Sequence, residues 1–257
     1  MTIVPKKAYG QHFLVDENIL GVIGRLADLQ LDDVVLEVGP GLGVLTRYLA
    51  VRTRLVHAVE IDPALVESLA ATQAGHENIR LIFGDALRLD LGALDPPPGK
   101  LVANLPYNIA TPLVVETLEH MSSLERWCVM VQREVADRFF AEPRTKAYGA
   151  VSVLVQLAAH KTGFHSVAPT VFRPRPGVES ALVAFARVAG PPLGDIRPVV
   201  EAAFAHRRKT LANSVSLAGL VPRARAEEAL VAIGYAPQSR AEELTPSGFL
   251  ALVEALR

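Results

Sequence analysis

Between Val34 and Glu60 the pattern of apolar positions changes character twice. Val34-Val35-Leu36-Glu37-Val38 is a short, β-branched apolar run, the signature of a buried strand. It breaks into alternating glycines at 39, 41 and 43, and resumes with helical spacing in Leu45-Thr46-Arg47-Tyr48-Leu49. A second apolar run, Leu55 to Glu60, follows as a strand. Asp62-Pro63 then opens a helix to about Gln73, with an acid at its N-cap and proline in its first turn. The same alternation predicts strands at Ile79–Phe83, Lys100–Ala103 and Trp127–Val131, and a helix from Pro112 to about His120. Two more strands are expected near His160–Val167 and Ser180–Arg187. Ahead of the first strand, Asp16 is placed to cap a helix to Asp28 with Ile19, Leu20, Val22, Ile23 and Leu26 on its apolar face.

Strands alternating with helices imply an α/β fold, a doubly wound and mostly parallel sheet that binds its ligand at the carboxyl ends of the strands. Gly190-Pro191-Pro192-Leu193-Gly194 reads as a linker, and beyond it the periodicity is helical only: Ile196 to Leu217, Arg223 to Ile233, Ser247 to Arg257. The expected division is a catalytic domain over 1–190 and a small helical domain over 191–257.

A chain of 257 residues that is half apolar can bury both. No apolar run approaches the length of a membrane span, and the N-terminal Lys6-Lys7 is not followed by a signal-peptide core, so a cytoplasmic protein is expected. The lone Cys128 excludes an internal disulfide and a cysteine-based metal centre, and no metal is expected. Net charge is −1, which by itself neither favours nor disfavours a nucleic-acid partner. Of the 26 basic residues only Lys6, Lys7, Lys100, Lys146, Lys161 and Lys209 are lysines. The rest are arginines, whose planar fork suits phosphate, although a GC-rich genome accounts for the excess equally well.

A glycine turn between a strand and a helix lets backbone approach a ligand closely. The dinucleotide fingerprint needs its third glycine at position 44, where Val44 stands. The spacing here is G-x-G-x-G with Glu37 two residues ahead, and it resembles that of S-adenosylmethionine (SAM) methyltransferases. Each polar candidate then falls just past a predicted strand. Glu60, 21 residues after Gly39, is placed to accept ribose hydroxyls. Asp85, after Gly84, is placed to accept an adenine amino group, with a plain turn aspartate as the alternative.

Asn104-Leu105-Pro106-Tyr107 is the most specific tetrapeptide. The exocyclic amine of a nucleobase is a poor nucleophile because its lone pair is conjugated into the ring. A side-chain amide oxygen from Asn104 and the Leu105 carbonyl can accept its two hydrogens and favour a pyramidal nitrogen. Pro106 fixes the turn, and Tyr107 offers a ring on which the base can stack. Asparagine is no strong base, so catalysis would rest on positioning. The arm Gln11-His12-Phe13-Leu14 could fold back over a cofactor, with His12 in contact and not in chemistry. The loop Phe172 to Ser180 combines an aromatic with two arginines on a proline-stiffened frame, a composition that suits base stacking beside phosphate. His206-Arg207-Arg208-Lys209 is a basic run on a predicted helix, a candidate for RNA-backbone contact.

Together these residues resemble the ribosomal small-subunit RNA adenine N6,N6-dimethyltransferases over nearly the whole chain. The resemblance runs through Lys7-x-x-Gly10-Gln11-x-Phe13-Leu14, Glu37 to Thr46, Glu60-Ile61-Asp62, Gly84-Asp85-Ala86 and Asn104 to Asn108. It continues through Gln132 to Arg138, Phe172-x-Pro174-x-Pro176-x-Val178-x-Ser180 and Arg207 to Asn213. It implies a SAM-dependent enzyme that dimethylates two adjacent adenines in a hairpin near the 3′ end of small-subunit rRNA, late in subunit assembly, as a monomer. It also implies cofactor contacts from His12, Leu14, Gly39, Gly41, Gly43, Glu60, Ile61, Asp85, Ala86 and Asn104. Catalysis falls to Asn104, Leu105, Pro106 and Tyr107, and RNA contact to Tyr107, Phe172, Arg207, Arg208 and Lys209. One departure is that the arm usually reads Gln-Asn-Phe-Leu, and His12 replaces the asparagine. The rivals are the related antibiotic-resistance methyltransferases of large-subunit rRNA and a non-catalytic assembly factor on the same scaffold.

Overall fold

The apolar runs become the strands. In the computed structural model, which describes residue 6 and residues 10–257, a short strand β1 (Phe13–Leu14) precedes helix α1 (Asn18–Leu26). Strand β2 (Val34–Val38), helix α2 (Val44–Ala50), strand β3 (Leu55–Glu60), helix α3 (Val66–Ala74) and strand β4 (Ile79–Phe83) follow. Then come β5 (Lys100–Asn104), α4 (Ala110–His120) and β6 (Arg126–Gln132). Residues 7–9 of the predicted arm lie outside the described residues. Every residue of β2 and β3 is buried, as a strand covered on both faces requires. The N-cap of α1 is Glu17, which makes no side-chain cap bond, and Asp16 instead shapes the turn just ahead by accepting the Asn18 N–H at 2.8 Å.

Beyond β6 lie α5 (Arg133–Phe139), α6 (Ala150–Ala158), β7 (Ala159–Val167), β8 (Phe172–Arg173) and β9 (Ser180–Arg187). The main sheet has seven strands in the order β4-β3-β2-β5-β6-β9-β7. Strands β2 to β6 run parallel with their neighbours, and β9 runs antiparallel to β6. From β2 the chain winds outward through β3 and β4, then returns to place β5 on the other side of β2. That reversal makes the carboxyl ends of β2 and β5 the natural crevice for a ligand. Arg187, at the end of β9, ties down the end of α4 by donating to the Leu118, Met121 and Leu124 carbonyls at 2.7 to 3.0 Å. The Leu118 carbonyl, in the last turn of α4, would otherwise lack a helical partner.

The chain forms two compact units, and the division differs from the one expected. The first holds residues 1–136 and 161–187, the second 137–160 and 188–257. The boundary near the proline linker is close to expectation, but the second unit also takes α6 from the middle of the chain. Ala150–Ala158 is mostly apolar, with Ser152 and Gln156 as its polar positions, and five hydrophobic residues of it are buried. It packs against α7 (Arg197–Phe204) and α10 (Pro246–Leu256). The remaining helices of this unit are α8 (Leu211–Leu217) and α9 (Arg223–Ala232).

The single helix expected from Ile196 to Leu217 is two. Thr210 takes an extended conformation and accepts the Asn213 N–H, capping α8 and ending continuity with α7. The basic run at 206–209 therefore lies in a turn and not on a helix face.

Candidate active site

A cleft opens where the chain leaves β2, β3 and β5. Gly39, Gly41, Glu60 and Ile61 form one wall, Asn104 to Tyr107 another, and His12 to Leu14 the roof. An adjoining hollow shares Gly39, Glu60, Ile61 and Pro106 and is completed by Asp85 and Ala86. Strand ends distant in sequence thus converge on one crevice, and most of the predicted cofactor residues line it.

The glycines divide into two kinds. Gly41 has φ +59°, and a Cβ there would stand 2.9 Å from the Phe13 ring, so the arm closes over this turn only because the side chain is missing. Gly43 is different. It also has positive φ, and a Cβ there would meet Thr72 of α3 at 2.7 Å. The missing side chain therefore lets α2 and α3 pack closely here.

Glu60 ends β3 with its carboxylate turned into the glycine turn. One oxygen accepts the Asp62 N–H at 2.9 Å and the other the Gly41 N–H at 3.3 Å. Burial raises its pKa above the usual carboxylate range, and these amides offset part of that. Glu37 also lines the cleft, and its carboxyl is more deeply enclosed. Burial pushes it up to about 8, Thr46 lowers it, and the nearby Glu60 charge adds to the rise. Its Oε2 has no hydrogen-bond partner among the described residues. Two carboxyls, one with an unpartnered buried oxygen, offer hydrogen-bond acceptors to a ligand with hydroxyl groups, as SAM is, and fit a dianionic pyrophosphate poorly. Asp85 accepts the Leu87 N–H at 3.0 Å and faces Arg88 at 3.4 Å, so it shapes its own turn while bordering the hollow.

The arm is anchored by a residue whose sequence context indicates only a helix cap. Asp62 caps the turn after β3 through the Ala64 N–H, as expected. It also accepts Lys6 Nζ at 2.6 Å and Gln11 Nε2 at 2.9 Å. Burial alone would raise the Asp62 pKa, but the bonds from Lys6, Ala64 and Gln11 outweigh it and hold the group below its ordinary range. Further along, β1 pairs antiparallel with β8, Phe13 opposite Arg173 and Leu14 opposite Phe172. The Leu14 side chain belongs to the core, so only its backbone is available to a ligand.

That pairing decides Phe172. Its side chain is fully buried among Leu14, Ile23 and Val167, while Arg173 faces solvent. Alternation along the strand turns Phe172 inward, so it is a core residue and not a base-stacking platform.

Asn104 and Tyr107 meet the arm directly. The Asn104 amide donates through Nδ2 to the His12 carbonyl at 3.0 Å. A carbonyl can only accept, so Nδ2 is committed and Asn104 Oδ1 has no hydrogen-bond partner among the described residues. The His12 ring stacks on Tyr107 with centroids 5.3 Å apart and planes at 29°, and its Nδ1 donates to the Pro174 carbonyl at 2.8 Å. The Tyr107 hydroxyl shares a 2.6 Å hydrogen bond with Ser180. Burial holds the phenol above its ordinary pKa, with the Ser180 bond acting the other way, so it stays neutral.

In the second unit the basic run is split in role. Arg207 donates to the Lys146 carbonyl at 2.9 Å and to the Tyr148 carbonyl at 3.3 Å, tying the α7–α8 turn to the loop before α6. Arg208 and Lys209 are exposed. No cluster of metal-ligating side chains occurs among the described residues, and no helix is long and apolar enough to cross a membrane.

Comparison with known proteins places this geometry in context. The family described as "Ribosomal RNA adenine dimethylase" matches residues 4–257. A protein of Rubrobacter xylanophilus named "Ribosomal RNA small subunit methyltransferase A" is 50% identical over 250 residues, covering 96% of this chain and 94% of that protein. One of the same name from Thermobifida fusca is 45% identical over 262 residues, covering 98% and 90%. Among solved structures, a dimethyladenosine transferase from Plasmodium falciparum superposes with a TM-score of 0.79 at 24% identity, covering 94% of this chain and 96% of that one. The 23S rRNA methyltransferase ErmE superposes with a TM-score of 0.66 at 32% identity, covering 95% and 99%.

Proposed function

The chain belongs to the ribosomal RNA adenine dimethylase family, a SAM-dependent rRNA methyltransferase, and from that membership we propose its substrate and the roles of its residues. The substrate is small-subunit rRNA in a late assembly intermediate. The reaction is N6,N6-dimethylation of two adjacent adenines in a 3′-terminal hairpin. The enzyme acts in the cytoplasm as a monomer.

The observation that carries this reading is the orientation of Asn104. With Nδ2 committed to the His12 carbonyl, Oδ1 is the end available to a target amine. Oδ1 and the Leu105 carbonyl accept the two N6 hydrogens and favour a pyramidal nitrogen with a localised lone pair. Bound SAM supplies a methyl group activated by its sulfonium. Glu60 would receive the ribose hydroxyls of that cofactor, Asp85 and Ala86 would hold its adenine, and the 39–41 turn would hold its amino-acid end. Tyr107 presents a neutral ring for the target base. No residue of the tetrapeptide is a competent base, so the gain comes from orientation and desolvation, and the proton departs to water after transfer. Arg208 and Lys209 contact the rRNA backbone.

A second reading, methylation of large-subunit rRNA, is favoured by the 32% identity to ErmE over 95% of the chain. Incubation with labelled SAM and separately purified unmethylated small and large subunits discriminates the two. Label should enter only the small-subunit rRNA, as N6,N6-dimethyladenosine at adjacent positions. Label confined to the large subunit would overturn the proposal.

A further inference from the structure

Ser180 has no role in the chemistry described so far, yet it touches the catalytic segment. It opens β9, fully buried, opposite Gln132 of β6. A buried serine ordinarily satisfies its hydroxyl on nearby backbone. Here the hydroxyl reaches across the sheet end to a side chain 73 positions earlier, the Tyr107 phenol, at 2.6 Å. The two partners differ in how firmly they are held. Ser180 is fixed by the β6–β9 ladder, whereas Tyr107 lies in the loop between β5 and α4 and has two side-chain torsions to settle. The His12 ring covers one face of Tyr107, and His12 is itself held to the Pro174 carbonyl of the loop that leads to Ser180. One strap of chain therefore restrains the tyrosine twice, through a face and through its hydroxyl.

We infer that Ser180 is a positioning residue for methyl transfer, fixing through its hydrogen bond the plane of Tyr107 on which the target adenine stacks. The adenine uses the ring face that His12 does not cover. This rests on the reading of Tyr107 as the stacking surface for the target base. The bond gives no direct contact to substrate. It selects one orientation of a ring that would otherwise sample several, and so raises the fraction of bound adenines aligned with Asn104 Oδ1.

The test is a double-mutant cycle in single-turnover methylation of unmethylated small subunits by the full-length protein. Ser180→Ala and Tyr107→Phe each remove one end of the bond and keep the ring and the packing. Each should slow the chemical step by about fivefold to tenfold, the effect of one neutral hydrogen bond. The double variant should be no slower than the slower single variant, since only one bond exists to lose. The KM for subunits, the Kd for SAM and the melting temperature should stay near wild type, which a general structural defect would not allow. Ser180→Ala at the wild-type rate would overturn the inference, as would losses that multiply in the double variant. Wild-type protein inactive on small subunits would overturn the proposed function and this role together, so the two failures are told apart by the first arm of the experiment.

Discussion

The Asn104 side-chain amide donates to the backbone carbonyl of His12 at 3.0 Å across 92 residues of sequence. This contact fixes which way the amide points, and it uses the arm's backbone, so the unusual histidine at position 12 leaves it intact. The arm's grip on Asp62 and its pairing with β8 are therefore part of what aims Asn104. The first prediction is that Asn104→Ala will lower the single-turnover rate of methylation by about a hundredfold or more, the scale of a lost transition-state contact. Subunit affinity, measured by filter binding, should change little. A rate within threefold of wild type would remove Asn104 from the mechanism.

Glu60 is expected to hold the ribose of SAM. Glu60→Ala should weaken SAM binding by roughly 1.5–3 kcal/mol, the range for charged hydrogen bonds. Calorimetry on the folded variant decides the matter, and unchanged affinity would refute the assignment.

Glu37 makes stability depend on pH. Its carboxyl is raised in the fold to about 8 from an ordinary 4.5. Below about pH 4.5 both folded and unfolded chains hold this proton, and the group has no net effect on stability. As pH rises from there to about 8 the unfolded chain ionises first, so stability falls, by roughly 3 kcal/mol at neutrality. Glu37→Gln, always neutral, should melt higher than wild type at pH 8, with the gap narrowing towards pH 5. Denaturation curves whose difference is independent of pH would show that the carboxyl is not held neutral.

The basic turn separates binding from architecture. Arg208→Glu with Lys209→Glu should leave folding and SAM affinity intact and weaken binding to small subunits. Each lost phosphate contact should make the log-affinity against log-salt slope shallower by about one unit or slightly less. Superimposed salt titrations for wild type and variant would refute RNA contact at this turn. Arg207→Ala, by contrast, should lower stability by about 1 kcal/mol through loss of its bonds to the loop before α6, as read by urea denaturation.

The sequence by itself determined the strands from Val34 to Val131, the glycine turn, and the placing of Glu60, Asp85 and Asn104 at strand ends. Those signals are local: two residues decide a strand's faces, and a glycine or proline decides a turn within a few positions. Tertiary structure alone decided what Phe172, Arg207, Gly43 and Ala150–Ala158 do, because each depends on a partner that no local period encodes. Phe172 reads as a platform until it pairs opposite Leu14 and is turned into the core. Arg207 reads as a free charge until one terminal nitrogen of its guanidinium meets two carbonyls some 60 positions earlier. The contacts His12–Pro174 and Tyr107–Ser180 span 162 and 73 residues. Chain spacing carries no information about such contacts; they exist because the order of strands in the sheet brings the arm, the catalytic loop and the start of β9 to one edge of the cleft.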